Sequence, residues 1–351
     1  MKNLASQRVK DFQKALKLAD LQGYVALQAL ELRYFSGVDL SDGEAVFLLT
    51  PRKVYCLTKA MIVPKMAAAA DFISVKAVPG DMLAAALELA AKSSWTRLAF
   101  DPSVVDFERG EKLASAGLNR WPGAVSEMRK VKYADEAAAL KKSCAVASAA
   151  FEEVKPQIKT GMSEEDVRVL MALAMIKRGA QSVPFNIVCF GENCADPHHE
   201  PSAKRKLKAN DAVLMDFGCF YEGYCSDMTR SWWHGDKEPA EYTKIWNLVS
   251  MAKEAAAGLL RAGLPAAEVD KAARDVIEDG GYGDYFIHTT GHGIGLEVHE
   301  APIERKNAVG ELEENFAVTV EPGIYLPGKY GVRLEDSYLI TKTGAKNLTQ
   351  N

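Results

Sequence analysis

The chain has 351 residues, 48% of them hydrophobic, which is enough to build two domain cores. Its 43 basic and 47 acidic side chains leave a net charge of -4, so there is no basic footprint for a nucleic acid. No run of about 18 apolar residues is present to span a membrane. The charged, amphipathic start from Met1 to Asp20 lacks the apolar centre of a signal peptide. The six cysteines (Cys56, Cys144, Cys189, Cys194, Cys219 and Cys225) show no CxxC spacing, and scattered thiols of this kind suit a reducing cytoplasm.

In chain order, helical periodicity covers residues 4–21. Strand-like runs follow at 24–27, 45–49, 54–57, 73–78 and 98–100, with helices between them, including an alanine-rich one at 81–92. Alternating strands and helices predict an α/β domain over residues 1–125. A polar, proline-containing stretch beginning at Trp121 reads as a linker, with residues 126–135 joining this domain to a second one over 136–351.

The second domain carries a repeat. Gly161-Met162-Ser163-Glu164-Glu165-Asp166-Val167 recurs 102 residues later as Gly263-Leu264-Pro265-Ala266-Ala267-Glu268-Val269, and the helix after each copy stops near Gly179 and Gly281. Ser163 is a fair N-cap with Asp166 three residues on, and Pro265 suits a helix start. Each half therefore reads as two helices followed by sheet. A pseudo-twofold α+β domain built from two such halves would place one site at its centre.

Five side chains fit that centre: Asp216, Asp227, His292, Glu321 and Glu335. The run from Val213 to Tyr221 reads as a strand, Glu222-Gly223 as a two-residue turn, and Tyr224 to Arg230 as the return strand. In that register Asp216 faces Thr229, and Asp227 points to the same face; diagonal neighbours on one face lie about 7–8 Å apart. Aspartate is rare in strands, yet both of these sit among apolar and aromatic residues. Glu321 ends the apolar run Phe316-Ala317-Val318-Thr319-Val320, and Glu335 closes Gly331-Val332-Arg333-Leu334-Glu335. The link from Pro322-Gly323 through Pro327-Gly328 is rich in turn formers. Taken singly, either glutamate would read as a strand-end cap. Four of the six histidines, His198, His288, His292 and His299, fall in segments that can serve the same site, and glycines around His292 allow close backbone approach. Carboxylates that can bridge two cations, capped by an imidazole, suit hard to borderline divalent ions such as manganese, cobalt or zinc.

Read in order, Pro197-His198, Met215-Asp216-Phe217-Gly218, Tyr224-Cys225-Ser226-Asp227-Met228-Thr229-Arg230, Gly291-His292-Gly293-Ile294-Gly295-Leu296-Glu297-Val298-His299-Glu300, Val320-Glu321-Pro322-Gly323-Ile324-Tyr325 and Val332-Arg333-Leu334-Glu335-Asp336 resemble the Xaa-Pro aminopeptidase and prolidase group of pita-bread metallopeptidases. The resemblance covers about residues 135–345, and the N-terminal part is more weakly similar to the family's creatinase-like accessory domain. It implies an α/β N-terminal domain followed by an α+β pita-bread catalytic domain with an internal pseudo-twofold repeat. It implies two divalent metal ions held by Asp216, Asp227, His292, Glu321 and Glu335. His198 and His299 would position substrate and move protons, with Glu321 as the proton carrier. His288 would line the proline pocket, Arg333 would support the metal ligands and help bind substrate, and Tyr325 would stand behind them. It further implies proline-containing peptides as substrates and a cytoplasmic homodimer.

Three departures bear on substrate choice. Relatives often have Ala-Arg after the Pro-His step, where this chain has His199-Glu200. They often have Pro-Gly-Met before the penultimate strand, where this chain has Glu314-Asn315-Phe316. An arginine common upstream falls at Asn307, with Arg305 and Lys306 beside it. Other chemistries fail: Gly291-x-Gly293-x-Gly295 is not a dinucleotide fingerprint, His299-Glu300-Ala301-Pro302-Ile303 lacks the second histidine of HExxH, and no GxSxG is present. A catalytically dead binding scaffold or a metal-free creatinase-type hydrolase would be expected to have lost ligands, and all five stand. Aminopeptidase and dipeptidase differ in whether the site binds a free proline carboxylate; the 283–300 segment favours the aminopeptidase.

Overall fold

The computed structural model describes residues 2–349, which fall in two compact units with the boundary between Met128 and Arg129. The first unit alternates as its patterning predicts. It contains α1 (Lys2–Leu18), β1 (Gly23–Ala26), α2 (Ala29–Ser36), β2 (Ala45–Leu49), β3 (Val54–Thr58), α3 (Val63–Ala69), β4 (Ile73–Ala77), α4 (Met82–Lys92), β5 (Leu98–Phe100), α5 (Phe107–Ser115) and β6 (Asn119–Arg120). The strands form one sheet in the order β4-β3-β2-β1-β5-β6. β2 is apolar and buried along its whole length, as a strand covered on both faces must be. α4 starts at Asp81, whose carboxylate accepts from the backbone N–H groups of Leu83 and Ala84.

One polar pair lies inside this core. The Tyr24 hydroxyl donates to Glu31 Oε1 at 2.5 Å, and the Leu27 N–H reaches Oε2 at 3.3 Å. Burial pushes the Glu31 carboxyl up to about 7.

The chain continues through α6 (Ser126–Lys130), α7 (Ala134–Val154), α8 (Glu164–Lys177), β7 (Ser182–Phe190), β8 (Asp211–Tyr221), β9 (Tyr224–Cys225) and β10 (Met228–His234). A second set follows: α9 (Ala240–Leu259), α10 (Ala266–Asp279), β11 (Gly291–Gly293), β12 (Glu300–Glu304), β13 (Ala317–Val320), β14 (Gly323–Leu326), β15 (Tyr330–Arg333), β16 (Asp336–Ile340) and β17 (Ala345–Asn347). In the first half, Phe151, Val167, Met171 and Met175 of α7 and α8 pack on Val188, Met215 and Phe217 of the β10-β8-β7 sheet. In the second, Ile245, Val249, Val269 and Ile277 of α9 and α10 pack on Val318, Val320, Ile324 and Val332. These belong to the β12-β11-β13-β16-β17 sheet and the β14–β15 hairpin.

The repeat survives as geometry. The Gly161 N–H donates to Leu207 O and the Leu207 N–H to Met162 O, both at 2.8 Å; the Gly263 N–H donates to Leu312 O and the Leu312 N–H to Leu264 O, also at 2.8 Å. Both leading glycines take positive φ, +94° and +79°, which a larger residue would adopt only under strain.

Two stretches differ from their sequence reading. Within the turn-rich link, residues 323–326 form β14, paired with β15; the prolines and glycines on either side mark the ends of a strand. In the stretch read as a linker, Ser126–Lys130 is α6, Val131 bridges Phe316, and Arg129 and Lys132 are buried. Arg129 donates to Glu297 at 2.7 Å and also to Glu300, and Lys132 Nζ reaches Glu300 at 3.0 Å. Charge that reads as solvated linker is here neutralised by carboxylates 168 residues away. All six cysteines are buried and free, and no described helix is long and apolar enough to cross a membrane.

Replacing Tyr24 with phenylalanine removes a donor from a buried carboxyl and leaves the packing unchanged. The expected cost is about 1–3 kcal/mol of stability in the first unit, read from the denaturant midpoint. An unchanged midpoint would show that the pair contributes nothing.

Candidate metal centre

Each carboxylate is placed by a local backbone demand. Asp216 sits mid-way along β8, paired with Thr229 on β10. Tyr221 and Tyr224 flank the turn, where Glu222 and Gly223 have φ of +49° and +76°. This is the left-handed pair that a tight hairpin requires. Asp227 lies where pairing lapses between β9 and β10. A Cβ on Gly218 would stand 1.9 Å from Ser226 O, so only glycine lets the segment leading to Asp227 close onto β8.

His292 is the middle residue of β11, between β12 and β13. A Cβ on Gly291 would lie 2.1 Å from Thr319 O, and one on Gly293 2.2 Å from Ala301 O, so the flanking glycines are steric requirements. The His292 Nδ1 lies 2.9 Å from Gly293 O. A carbonyl only accepts, so Nδ1 carries the proton and Nε2 turns its lone pair into the cleft. That lone pair lies 3.4 Å from Glu321 Oε1 and 3.6 Å from Asp227 Oδ2. Burial holds the imidazole down to about 4, so it is neutral.

Glu321 follows β13, held by its N–H to Thr290 O at 2.8 Å, and Glu335 lies between β15 and β16, held by its N–H to Thr229 O at 3.1 Å. Ligand atoms of Asp227, His292 and Glu335 all lie within 4.8 Å of one another.

Arg333 is the cation behind this group. It donates through Nη2 to Asp216 at 2.6 Å, through Nε to the Thr229 hydroxyl at 3.0 Å and through Nη1 to the Tyr325 hydroxyl at 2.8 Å. The Thr229 hydroxyl in turn donates to Glu335 Oε2 at 2.7 Å. The buried guanidinium is thus engaged at all three nitrogens by the site's own walls, among them the Asp216 carboxylate.

Tyr325 lies 2.8 Å from His288 Nε2. His288 Nδ1 faces Thr289 O at 2.8 Å, so Nε2 accepts the tyrosine proton. Burial, then Arg333, holds His288 down to about 4. His299 is exposed and meets His292 edge-on, with ring centres 4.3 Å apart. His198 is exposed on the loop between β7 and β8. Thr229 is the residue the sequence reading used only as a register mark; its alternation with Asp227 already placed it on the cleft face.

Electrostatics suit the cleft to a cation. Burial pushes the Asp227 carboxyl well above the usual range, with Glu335, Asp216 and Glu321 adding repulsion. Glu321 is raised by burial and by Glu335, and Glu335 is pushed up to about 8 by burial and Asp216. Asp216 Oδ1 and Glu335 Oε1 are buried and accept no hydrogen bond from the described residues. Orphaned oxygens, crowded like charges and a deprotonated imidazole nitrogen fit hard to borderline divalent cations.

Residues 138–342 match the model of metallopeptidase family M24, and residues 8–131 that of the creatinase/prolidase N-terminal domain. The fold is similar to an Xaa-Pro dipeptidase from Bacillus anthracis, at 31% identity and a TM-score of 0.92 over 99% of this chain and 98% of that one. It is also similar to an X-Pro aminopeptidase from Thermotoga maritima, at 30% identity and 0.88 over 96% and 98%. An uncharacterized peptidase of Staphylococcus epidermidis is 40% identical over 228 residues. That match takes in 65% of this chain and 64% of the relative's length, so the chain spans under two thirds of the curated relatives it matches. The architecture is therefore an accessory α/β unit followed by a pita-bread unit. The chain belongs to metallopeptidase family M24.

The metal-free cleft should respond to pH with a definite sign. Glu335 is raised from 4.5 to about 8 in the fold, so between those values the native state holds a proton that the unfolded chain releases. Its contribution is present below pH 4.5 and lost as pH rises toward 8. The chelated protein should melt progressively lower across that window. Manganese at about 100 times its Kd should restore about 2.7 kcal/mol at pH 8. A chelated melting curve indifferent to both pH and manganese would contradict this account.

Proposed function

We propose that the chain is a metal-dependent Xaa-Pro aminopeptidase, cleaving the bond between an N-terminal residue and the proline that follows. The observation that carries this reading is the convergence of Asp227, His292 and Glu335, with Glu321 3.4 Å from the same imidazole nitrogen and Asp216 held by Arg333. Asp216, Asp227, His292, Glu321 and Glu335 would hold two divalent ions, manganese, cobalt or zinc. Bound there, they would supply Lewis-acid polarisation of the scissile carbonyl and acidify a water.

The protein's own residues do the rest. A tertiary amide leaves poorly unless its nitrogen is protonated, so a proton must be carried from the attacking water to the proline nitrogen. The Glu321 carboxylate, raised by burial, is suited to accept that proton on an oxygen and to release it again. His299, beside His292, and His198, on the β7–β8 loop, would donate hydrogen bonds to the substrate's amide oxygen and relay protons at its rim. His288, braced by Tyr325, offers a neutral imidazole face for the proline ring. Arg333 orients Asp216 as an outer partner of the ligand shell. Because Arg333 is already engaged, it is not a ready partner for a free proline carboxylate, which favours longer peptides. The likeness to an Xaa-Pro dipeptidase over 99% of this chain supports dipeptide cleavage as the second reading.

Three substrates separate the readings: Gly-Pro-Gly-Gly, Gly-Pro and Gly-Ala, assayed with manganese and again after chelation. The aminopeptidase reading expects cleavage of the tetrapeptide, lost on chelation. Cleavage of the dipeptide alone would replace it with a dipeptidase. Inertness toward all three in metal-loaded protein would leave a binding scaffold.

Asp227→Asn should bind less metal and fall below about 1% of wild-type activity, since even outer-shell partners cost 10–100-fold. Full turnover in a metal-replete mutant would sink the ligand assignment. His299→Ala should keep its metal content and lose about 100-fold in kcat; an unchanged kcat would remove His299 from the proton path.

A further inference from the structure

His199, on the loop between β7 and β8, has a buried partner. Glu164 is the first residue of α8 and is completely buried. Its Oε1 accepts from the Phe190 N–H and from Asn193 Nδ2, both at 2.8 Å. Its Oε2 accepts from the Ser202 N–H at 3.0 Å and lies 2.8 Å from His199 Nε2. A carboxylate only accepts, so His199 donates to it through Nε2, which also lies 3.1 Å from Asn193 Nδ2. The N-terminus of a fourteen-residue helix adds a favourable field for that buried charge.

The four donors are spread along one loop, from the last residue of β7 to Ser202. One carboxylate therefore gathers residues 190–202 of the excursion between β7 and β8. His198 lies inside it, and its own N–H is tied to Asp196 Oδ1 at 3.0 Å. The His199 N–H reaches Asp196 O at 3.3 Å. The same loop packs against β15: a Cβ on Gly331 would stand 2.1 Å from Cys194 O. The His198 side chain is exposed and takes no part in the clasp; among the described residues its hydrogen bond is the one made by its backbone N–H.

We propose that His199 is a positioning residue: clasped to Glu164, it pins the β7–β8 loop so that the neighbouring His198 stands at the rim of the metal cleft. This rests on the reading of His198 as a residue that meets substrate. Removing one of four tethers leaves the fold intact but widens the range over which His198 moves. A displacement of about 1 Å at such a group can cost up to about 100-fold.

The test is a small set of variants assayed as metal-loaded full-length enzyme on the best Xaa-Pro substrate: His198→Ala, His199→Ala, His199→Gln and the double alanine variant. His199→Ala should lower kcat/KM by about 10- to 100-fold with metal content unchanged. His199→Gln, whose amide can replace the Nε2–H donor, should recover most of it. The double variant should be no worse than His198→Ala alone, because the clasp acts through His198. Should the alanine variant not fold, His199→Leu, which keeps bulk and removes the donor, takes its place. A silent His199→Ala beside an impaired His198→Ala would overturn the clasp alone. Losses that multiply in the double variant would also overturn it, since His199 would then act independently. A silent His198→Ala would overturn the reading of His198 itself, and the clasp with it.

Discussion

Crowded negative charge is the constraint on which the second unit depends. Asp216, Asp227, Glu321 and Glu335 converge where burial removes much of the water that would screen them, and the Arg333 guanidinium faces them. Left alone, such a group raises its own proton affinity, as Asp227, Glu321 and Glu335 all do. The fold tolerates this because each ligand is fixed by something other than the charge: a glycine too close to a carbonyl, a backbone hydrogen bond, or a threonine shared between Arg333 and Glu335. Rigid walls around mutually repelling oxygens have the preorganisation that a cation site requires.

The parts of this arrangement that follow from local rules were readable in the chain. Period-two alternation and a two-residue turn placed Asp216 opposite Thr229. Ser163 and Asp166 close a capping box at the start of α8. Strands β2 and β5 have the bounds that their apolar runs suggest. The repeat, weak as identity, was visible because both copies need a glycine with positive φ at the same step before the helix. Matching demands at matching positions survive when most side chains diverge.

What escaped the sequence is what depends on partners far along the chain. Arg129 and Lys132 look like solvated linker until Glu300 is brought to them. Glu164 looks like an ordinary helix-start acid, one of three in its first turn, until a loop of later residues folds over it. Residues 323–326 were hidden by the prolines and glycines that bracket them, which mark the ends of a strand as readily as a continuous turn. The resemblance gives Arg333 the support of the metal ligands and a share in substrate binding; its hydrogen bonds to Asp216 and Thr229, 117 and 104 residues away, were not readable. In each case the residue type was informative and the partner was not.

The bond between Thr229 and Glu335 joins residues 106 apart in the chain. Bringing such distant segments together costs chain entropy that is recovered only when both halves of the unit are largely built. The cleft is therefore among the last features to form, and a cation has no complete seat until the chain is nearly native. Stabilisation that arrives after the folding barrier slows escape from the native state and leaves the rate of reaching it almost unchanged. Metal supply would then govern how long a folded molecule lasts, while how fast it folds is left to the apolar cores of the two halves.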